Sequence, residues 1–464
     1  MTVGRAIPLW QDCIEFDTAT HHSTSERGAV DGVVESDVVI VGGGYTGLWT
    51  AFYLKQLAPQ LSISIVESQF VGFGGSGRNG GWCSAFLPMS PNEMSAEHGA
   101  QAMRFLQDQM FATVDEIARV AQAHNIGCDF HKGGTITSAS NPAHVERLHH
   151  YIDDWHAAGF SNTDMSWESA EQISERIHVS STLGGMYSPH CAVINPWRLV
   201  TGLARAVESL GVVIFENSRA ISIGQSRVVL EYGEVRAKWV VNALESFTSQ
   251  LPAGKRKIVP LYSLMVATEP LSESVWRSLG WNHRETFADG RNMVTYAQHT
   301  ADGRIAFGGR GAPYHFGSSI SDSYDRNTTI HGRLEQTVRE IFPQVADAQF
   351  THHWGGPVGA PRDWHAFANV NAETGLCAGG GYVGDGVALS NLVGRTLAHQ
   401  IVDTGDVLTR CALVNHQSKQ WEFEPLRWLG VNSLLALTEY ADKAERRTHR
   451  PMKRLLALRD GLLG

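Results

Sequence analysis

Cysteine is scarce in this chain and never paired: the six, at positions 13, 83, 128, 191, 377 and 411 of 464 residues, show no C-x-x-C spacing. Neither a structural zinc site of ribbon type nor a disulfide framework is indicated, and a reducing, cytoplasmic setting is expected. Long apolar runs are missing too. No stretch reaches the length of a membrane span, and residues 1 to 36 lack the continuous apolar core of a signal peptide. Positive charge is in deficit, with 38 Lys and Arg against 47 Asp and Glu, a net charge of −9. That balance favours solubility and argues against nucleic acid as a partner. The 21 histidines include the pairs His21-His22, His149-His150 and His352-His353, but none has i, i+4 ligand spacing beside an acid. They read as surface or hydrogen-bonding residues, and no metal is expected.

Glycine is what the chain has in quantity, and three loops concentrate it. The apolar, β-branched run Val38-Val39-Ile40-Val41 reads as a buried parallel strand and leads directly into Gly42-Gly43-Gly44-Tyr45-Thr46-Gly47. Gly42, Gly44 and Gly47 fit the G-x-G-x-x-G fingerprint: a tight turn, room for a pyrophosphate against backbone, and close helix–strand packing. A helix starting there turns free N–H groups and partial positive charge toward phosphates. Leu61 to Val66 reads as a second strand ending at Glu67, 67 − 47 = 20 residues past the last fingerprint glycine, where a ribose-binding carboxylate belongs.

The second loop, Gly72 to Trp82, holds six glycines in ten residues. It cannot fill a core, so its expected use is backbone laid against a flat or extended ligand, with Ser76, Arg78 and Asn79 as donors. The third, Gly379 to Gly386, opens a helix through Val387. Its amides and dipole suit an electron-rich edge that gains negative charge.

The length favours two intimately packed domains. Met94 to His124 is helical in pattern, His131 to Ser138 a strand, and Asn141 to Glu175 mostly helical. A helix from Asn195-Pro196 to Leu210 and a buried strand Val212 to Phe215 resume the strand–helix–strand order begun at Val38. Residues 219 to 242 read as a β-meander, 257 to 310 as strand-rich, Arg326 to Phe342 as an amphipathic helix. The expected organisation is α/β: a discontinuous Rossmann-like nucleotide domain from 37–128, 190–256 and 352–405, and an antiparallel-sheet domain from 129–189 and 257–351. An irregular N-terminal arm, 1–36, packs on the first domain, and a helical extension occupies 406–464.

Together the three segments resemble the D-amino-acid oxidase family of flavoproteins, which includes glycine oxidase, sarcosine oxidase and γ-glutamylputrescine oxidase. The residues that carry the resemblance are Val38 to Gly47 with Glu67, Ser76-Gly77-Arg78-Asn79-Gly80-Gly81, Trp354-Gly355-Gly356-Pro357 running to Asp363, and Gly381 to Gly386 with Ser390 and Gly394. It spans roughly 36 to 403 and is nearest the putrescine-oxidising branch through the arginine–asparagine loop.

The resemblance implies extended FAD in a glutathione-reductase-type fold. The pyrophosphate would meet Gly42, Gly44, Tyr45, Thr46 and Gly47, and the adenosine end Glu67, Ser68, Ala220 and Ala243. The isoalloxazine would lie between Gly74, Gly75, Ser76, Arg78, Asn79, Gly80, Gly81 and Trp82 on one side and Gly381, Tyr382, Val383, Gly384, Asp385, Gly386 and Val387 on the other. It implies hydride transfer from the carbon of a small amine or amino acid to the flavin, and an imine that hydrolyses. Oxygen is the expected acceptor; a dehydrogenase with another acceptor and a non-catalytic FAD-binding subunit are the alternatives. The segment holds Gly359-Ala360-Pro361 where sarcosine oxidase-like members carry a tethering cysteine, so noncovalent FAD is expected, with Cys83 the only candidate tether. The strand Arg304 to Arg310 offers no lysine for oxygen activation, which leaves oxidase against dehydrogenase open. Substrate-side candidates are Tyr262, Tyr296, His299, Arg310, Trp354 and Tyr382. Arg310 or Arg362 would clamp a carboxylate; a polyamine would want aromatic faces and an acid such as Asp385 or Asp289.

Overall fold

The computed structural model describes residues 7–12, 27–309 and 311–463. Cys13, His21-His22 and Arg310 lie outside the described residues.

Two eight-stranded sheets organise the chain. At the centre of the first, Val33–Val41 runs parallel to both Ile63–Val66 and Glu234–Asn242. Residues 38 to 41 are buried on both faces. That explains a continuous Val/Ile run in place of alternation: helices pack on Val38 and Ile40 on one face, and the strand residues Val228 and Leu230 pack with Val39 and Val41 on the other. The sheet continues outward through Leu376–Gly380 to Phe367–Asn371, and on the other side ends at Val213–Phe215. The last was expected to be buried, but it is an edge strand with Val213 half exposed. The meander 220–242 forms as expected, its last strand shared with the parallel sheet.

The second sheet is antiparallel apart from one pair, in the order Phe350–Ala360, Val259–Thr268, Ile305–Gly309, Thr295–His299, Thr286–Asp289, Thr135–Ser138, Gly185–Ser188, Ser166–Glu168. Strand Phe350–Ala360 was grouped with the nucleotide-binding segments, but its hydrogen bonds run to Val259–Thr268 over ten residue pairs. Its glycines permit that close pairing: a Cβ at Gly355 would sit 2.8 Å from Ser263 O. The ribbon of Trp82–Ser84 and Cys191–Val193 stands apart from both sheets.

Other differences have local causes. The helical stretch around Met94–His124 is two helices, Pro91–His98 and Ala100–Ala123, because Gly99 at φ 88° caps both. Asn141 to Glu175 contains a strand, Ser166–Glu168, between helices Pro142–Ala157 and Ala170–Arg176. The arm is not irregular throughout, and it packs on both domains: Arg27 pairs with Glu208 and Glu216, and Val30 packs with Val39 and Val41 of the first sheet. Val33 to Ser36 are strand, since residues 234–237 offer them parallel partners. Leu9 and Trp10 are buried beside Met265, Ala306 and Trp354 of the second sheet.

Of the described C-terminal stretch, only Leu426–Thr448 and Lys453–Leu463 are α-helical; residues 411–425 are irregular. The stretch is clamped to the second sheet's side by Asp442, which accepts the amides of Asn292 and Met293 at 2.8 Å each, and by Glu445, which pairs with Arg147 at 2.5 Å.

Candidate active site

The fingerprint turn has the geometry its glycines were read to serve. Gly42 has φ 114°, and a Cβ there would lie 2.8 Å from Ala243 O; at Gly47 a Cβ would be 2.1 Å from Gly42 O. Neither position has room for a side chain. Helix Tyr45–Leu57 starts at Gly44, which has no side chain to cap it, and its positive dipole end lies at the turn. Ala243 N donates to Val41 O at 2.9 Å, sealing the turn from behind.

Glu67 stands beside this turn. Its carboxylate accepts from Gly43 N at 2.8 Å, from Gln69 N at 3.0 Å and from Ser68 Oγ at 3.1 Å. Crowding by protein raises its pKa, against the pull of those donors. Ser218 N donates to Glu67 O at 2.7 Å, bringing the start of strand Ala220–Gly224 alongside.

The second loop folds onto the first. Ser76 Oγ accepts from Tyr45 N at 2.9 Å. Asn79 is used internally, its side-chain amide donating to Gly75 O and Ser76 O and its Oδ1 accepting from Gly81 N. Gly74 precedes the turn Gly75–Gly77, and Gly80 lies under the ring of Tyr296. Trp82 Nε1 donates to Ala297 O at 3.1 Å, tying the loop to the second sheet.

Arg78, read as a ligand donor, is committed to protein. Its Nε donates to Phe73 O at 2.8 Å, its guanidinium pairs with Asp325 Oδ2 at 2.7 Å, and its plane lies over Phe73.

The third loop closes the arrangement. Tyr382 OH lies 2.7 Å from Thr46 Oγ1, and helix Gly386–Val402 packs along helix Tyr45–Leu57, where a Cβ on Gly394 would be 2.8 Å from Thr50 N. Val383 has φ 48° and Gly384 φ 104°; Asp385 stands at the N-cap position with its N donating to Tyr382 O at 2.9 Å, and Val387 is buried. The amides of Gly381 and Tyr382 do not face a ligand as expected. They donate to Glu245 Oε1 at 3.2 and 3.4 Å, while Glu245 Oε2 accepts from Gly359 N at 2.7 Å. What remains for a ligand is the helix start at Gly386, which has no side-chain cap. Burial raises the Glu245 pKa, opposed by those N–H groups.

Of the substrate-side residues, Tyr262 and Tyr296 lie near the second loop. Tyr262 lines a crevice with Phe73, Gly74, Arg78, Phe247, Asp325 and Pro357. Tyr296 OH meets Ser263 Oγ at 2.8 Å. Trp354 is fully buried and points to the arm, edge-on to Trp10, its Nε1 donating to Arg78 O at 2.9 Å. His299 belongs to packing: it stacks on Trp276 at 3.5 Å and meets Trp281 O at 3.1 Å, and burial lowers its pKa to about 4. Arg362 pairs with Glu422 at 3.1 Å, and Asp289 with Arg291 at 2.7 Å. Cys83 is buried in the ribbon, where burial drives its thiol pKa well up.

Two acids escaped the sequence reading. Glu245 has φ 49°, an unusual conformation for a side-chain-bearing residue, and its only sequence signal is its place just past the strand Trp239 to Asn242. Asp325 sits in the short turn Asp322–Arg326, outside any motif. It is buried, and while Oδ2 pairs with Arg78, Oδ1 has no hydrogen-bond partner. Burial, partly offset by Arg78, raises its pKa to about 6.

A parallel sheet with a tight glycine turn, an acid at the next strand end, and two further glycine loops drawn onto the same helix are an arrangement suited to a dinucleotide-dependent oxidoreductase. The chain belongs to the DAO family of FAD-dependent oxidoreductases, whose model matches residues 37–400. Among curated relatives it is 26% identical to probable oxidoreductase OrdL of Haemophilus influenzae over 388 residues, 81% of this chain and 85% of that one. It is 27% identical to gamma-glutamylputrescine oxidoreductase of Escherichia coli, over 79% of this chain and 83% of that one. Glycine oxidase from Geobacillus kaustophilus superposes with a TM-score of 0.67 at 20% identity, covering 82% of this chain and 99% of that one. The turn, where neither Gly42 nor Gly47 has room for a Cβ, with the positive end of the helix dipole behind it, fits the FAD on which this family depends. No described helix is long and apolar enough to cross a membrane.

Proposed function

We propose that this protein oxidises the C–N bond of a small, positively charged amine. The supporting observation is Asp325: a buried carboxylate with an unpaired oxygen in a crevice walled by Phe73, Phe247 and Tyr262. Aromatic faces with an acid suit a cationic amine, whereas a carboxylate substrate needs an uncommitted arginine. Of the candidate arginines among the described residues, Arg78 and Arg362 are both held by acids. Gamma-glutamylputrescine oxidoreductase, one of the relatives, is consistent with an amine.

When bound, FAD would supply a two-electron acceptor for hydride from the carbon bearing nitrogen once the ammonium group has released a proton to water; the iminium ion that hydride loss leaves is hydrolysed to a carbonyl compound and ammonium or an amine. Residues of this chain do the positioning. Gly42 to Gly47 and Glu67 hold the nucleotide end. The loop Gly74 to Trp82 and the helix start at Gly386 would hold the ring system, and Tyr296 covers Gly80 from the second sheet. Asp325 accepts a hydrogen bond from the amino group, with Arg78 holding the carboxylate in place. Cys83 is inert and the cofactor noncovalent. The sheet containing Val33–Val41 serves as the nucleotide domain and the antiparallel sheet as the substrate domain, with oxygen as acceptor.

The test is anaerobic spectrophotometry of the yellow holoprotein with primary amines, polyamines, amino acids and aminophosphonates. Bleaching by cationic amines, with rapid return of colour in air, is expected. Bleaching without rapid return assigns another acceptor, and bleaching by no amine overturns the reading.

A further inference from the structure

We propose that Glu97, His98, His365 and His416 bind one divalent transition-metal ion, best suited to zinc, as a structural site behind the third glycine loop. The four donor atoms lie within 4.8 Å of one another. His98 Nε2 is 2.8 Å from His365 Nε2, and Glu97 Oε1 is 3.5 Å from His98 Nε2 and 3.6 Å from His416 Nδ1. Zinc with bonds of about 2.0–2.1 Å in a tetrahedron separates its ligand atoms by about 3.3 Å, so shifts of roughly an ångström or less complete the shell.

His365 Nδ1 donates to Ala366 O at 2.6 Å, and His416 Nε2 donates to Asp363 Oδ2 at 2.9 Å. Each bond places the proton on the outer nitrogen and leaves the inner one with a lone pair aimed at the common point. This is the outer shell that orients metal-binding imidazoles. Asp363 is itself fixed by His365 N at 3.1 Å and Ser418 Oγ at 2.7 Å. Three imidazoles and a carboxylate select a zinc-like ion over magnesium or calcium, and four protein ligands make a closed, structural site.

The site would join three segments distant in sequence: helix Pro91–His98, the turn 361–366 and the stretch 411–418. The turn also supports the cofactor region, since a Cβ on Gly381 would be 2.6 Å from His365 O. No metal was expected from the sequence, because the ligands are spread over more than three hundred residues.

The experiment uses full-length, FAD-loaded protein, stripped with a chelator and dialysed, then titrated with zinc chloride against a chromophoric chelator and separately with cobalt chloride. About one zinc per chain and the visible d–d bands of four-coordinate cobalt are expected. His98→Ala and His416→Ala should each weaken zinc binding more than about tenfold, and Asp363→Asn, outside the shell, by about 10–100-fold. Fewer than about 0.1 zinc per chain, or variants that bind zinc as the parent does, would reduce the cluster to a hydrogen-bonded histidine network and overturn the proposal. Should the alanine variants fail to fold, stoichiometry and the cobalt spectrum of the parent protein decide alone.

Discussion

The hydroxyl of Tyr382 and the Oγ1 of Thr46 meet at 2.7 Å across 336 positions of sequence. This bond joins the first glycine segment to the third, and both groups are buried. Tyr382→Phe removes the bond and leaves Thr46 with a buried hydroxyl short of a partner, at about 1 kcal/mol. FAD should then be held roughly five- to tenfold more weakly, measured by flavin fluorescence on dilution. Unchanged retention would mean that the two loops are held together without it.

Gly47→Ala puts a methyl group 2.1 Å from the Gly42 carbonyl, which neither helix nor strand can yield without opening the fingerprint. Colourless or insoluble protein is expected. Gly430→Ala is the contrasting substitution, on an exposed helix with nothing within 4 Å of the new methyl group. It should stabilise by up to about 1 kcal/mol, read as a higher thermal midpoint.

Glu245→Ala deprives the amides of Gly359, Gly381 and Tyr382 of one shared acceptor. Poorly hydrated N–H groups without partners cost about 2–4 kcal/mol in total here. Faster hydrogen exchange confined to 359 and 381–382 is expected, together with FAD loss on gel filtration. Exchange unaltered in those segments would contradict the role given to Glu245.

Asp325 supplies the pH dependence. Its folded pKa of about 6 lies above the ordinary 3.8, with burial the main cause. Protonation is therefore favoured by the fold: the stabilising contribution is full below about pH 4 and lost as pH rises through about 6. Amine binding runs the other way, because only the ionised form pairs with an ammonium group. For a cationic amine, kcat/KM should rise with pH through about 6, and Asp325→Asn should abolish that inflection and lower kcat/KM by about 10–100-fold. An unchanged profile in the variant would assign the inflection elsewhere.

Local order was largely readable along the chain. The buried run at Val38, the glycine turn, the acid at Glu67 and the helix starts at Asn195 and Gly386 all depend on neighbours within about twenty residues, where period and turn chemistry act. The candidate site was readable where backbone forms it, and much less so where side chains do. Trp354 and His299 have the composition of site residues, yet one locks onto Trp10 and the other onto Trp276. Arg78 has the right chemistry and is already paired with Asp325.

By itself, then, the sequence determined the α/β architecture and the family's nucleotide cradle, because a tight glycine turn between strand and helix is a local backbone requirement. Tertiary structure alone decided which acids face the loops, that strand Phe350–Ala360 joins the second sheet, and that Glu97, His98, His365 and His416 share one point. Those outcomes rest on contacts between residues one to three hundred positions apart. Such pairs leave no spacing in a single chain, since their register is set by packing and by which buried polar groups find partners.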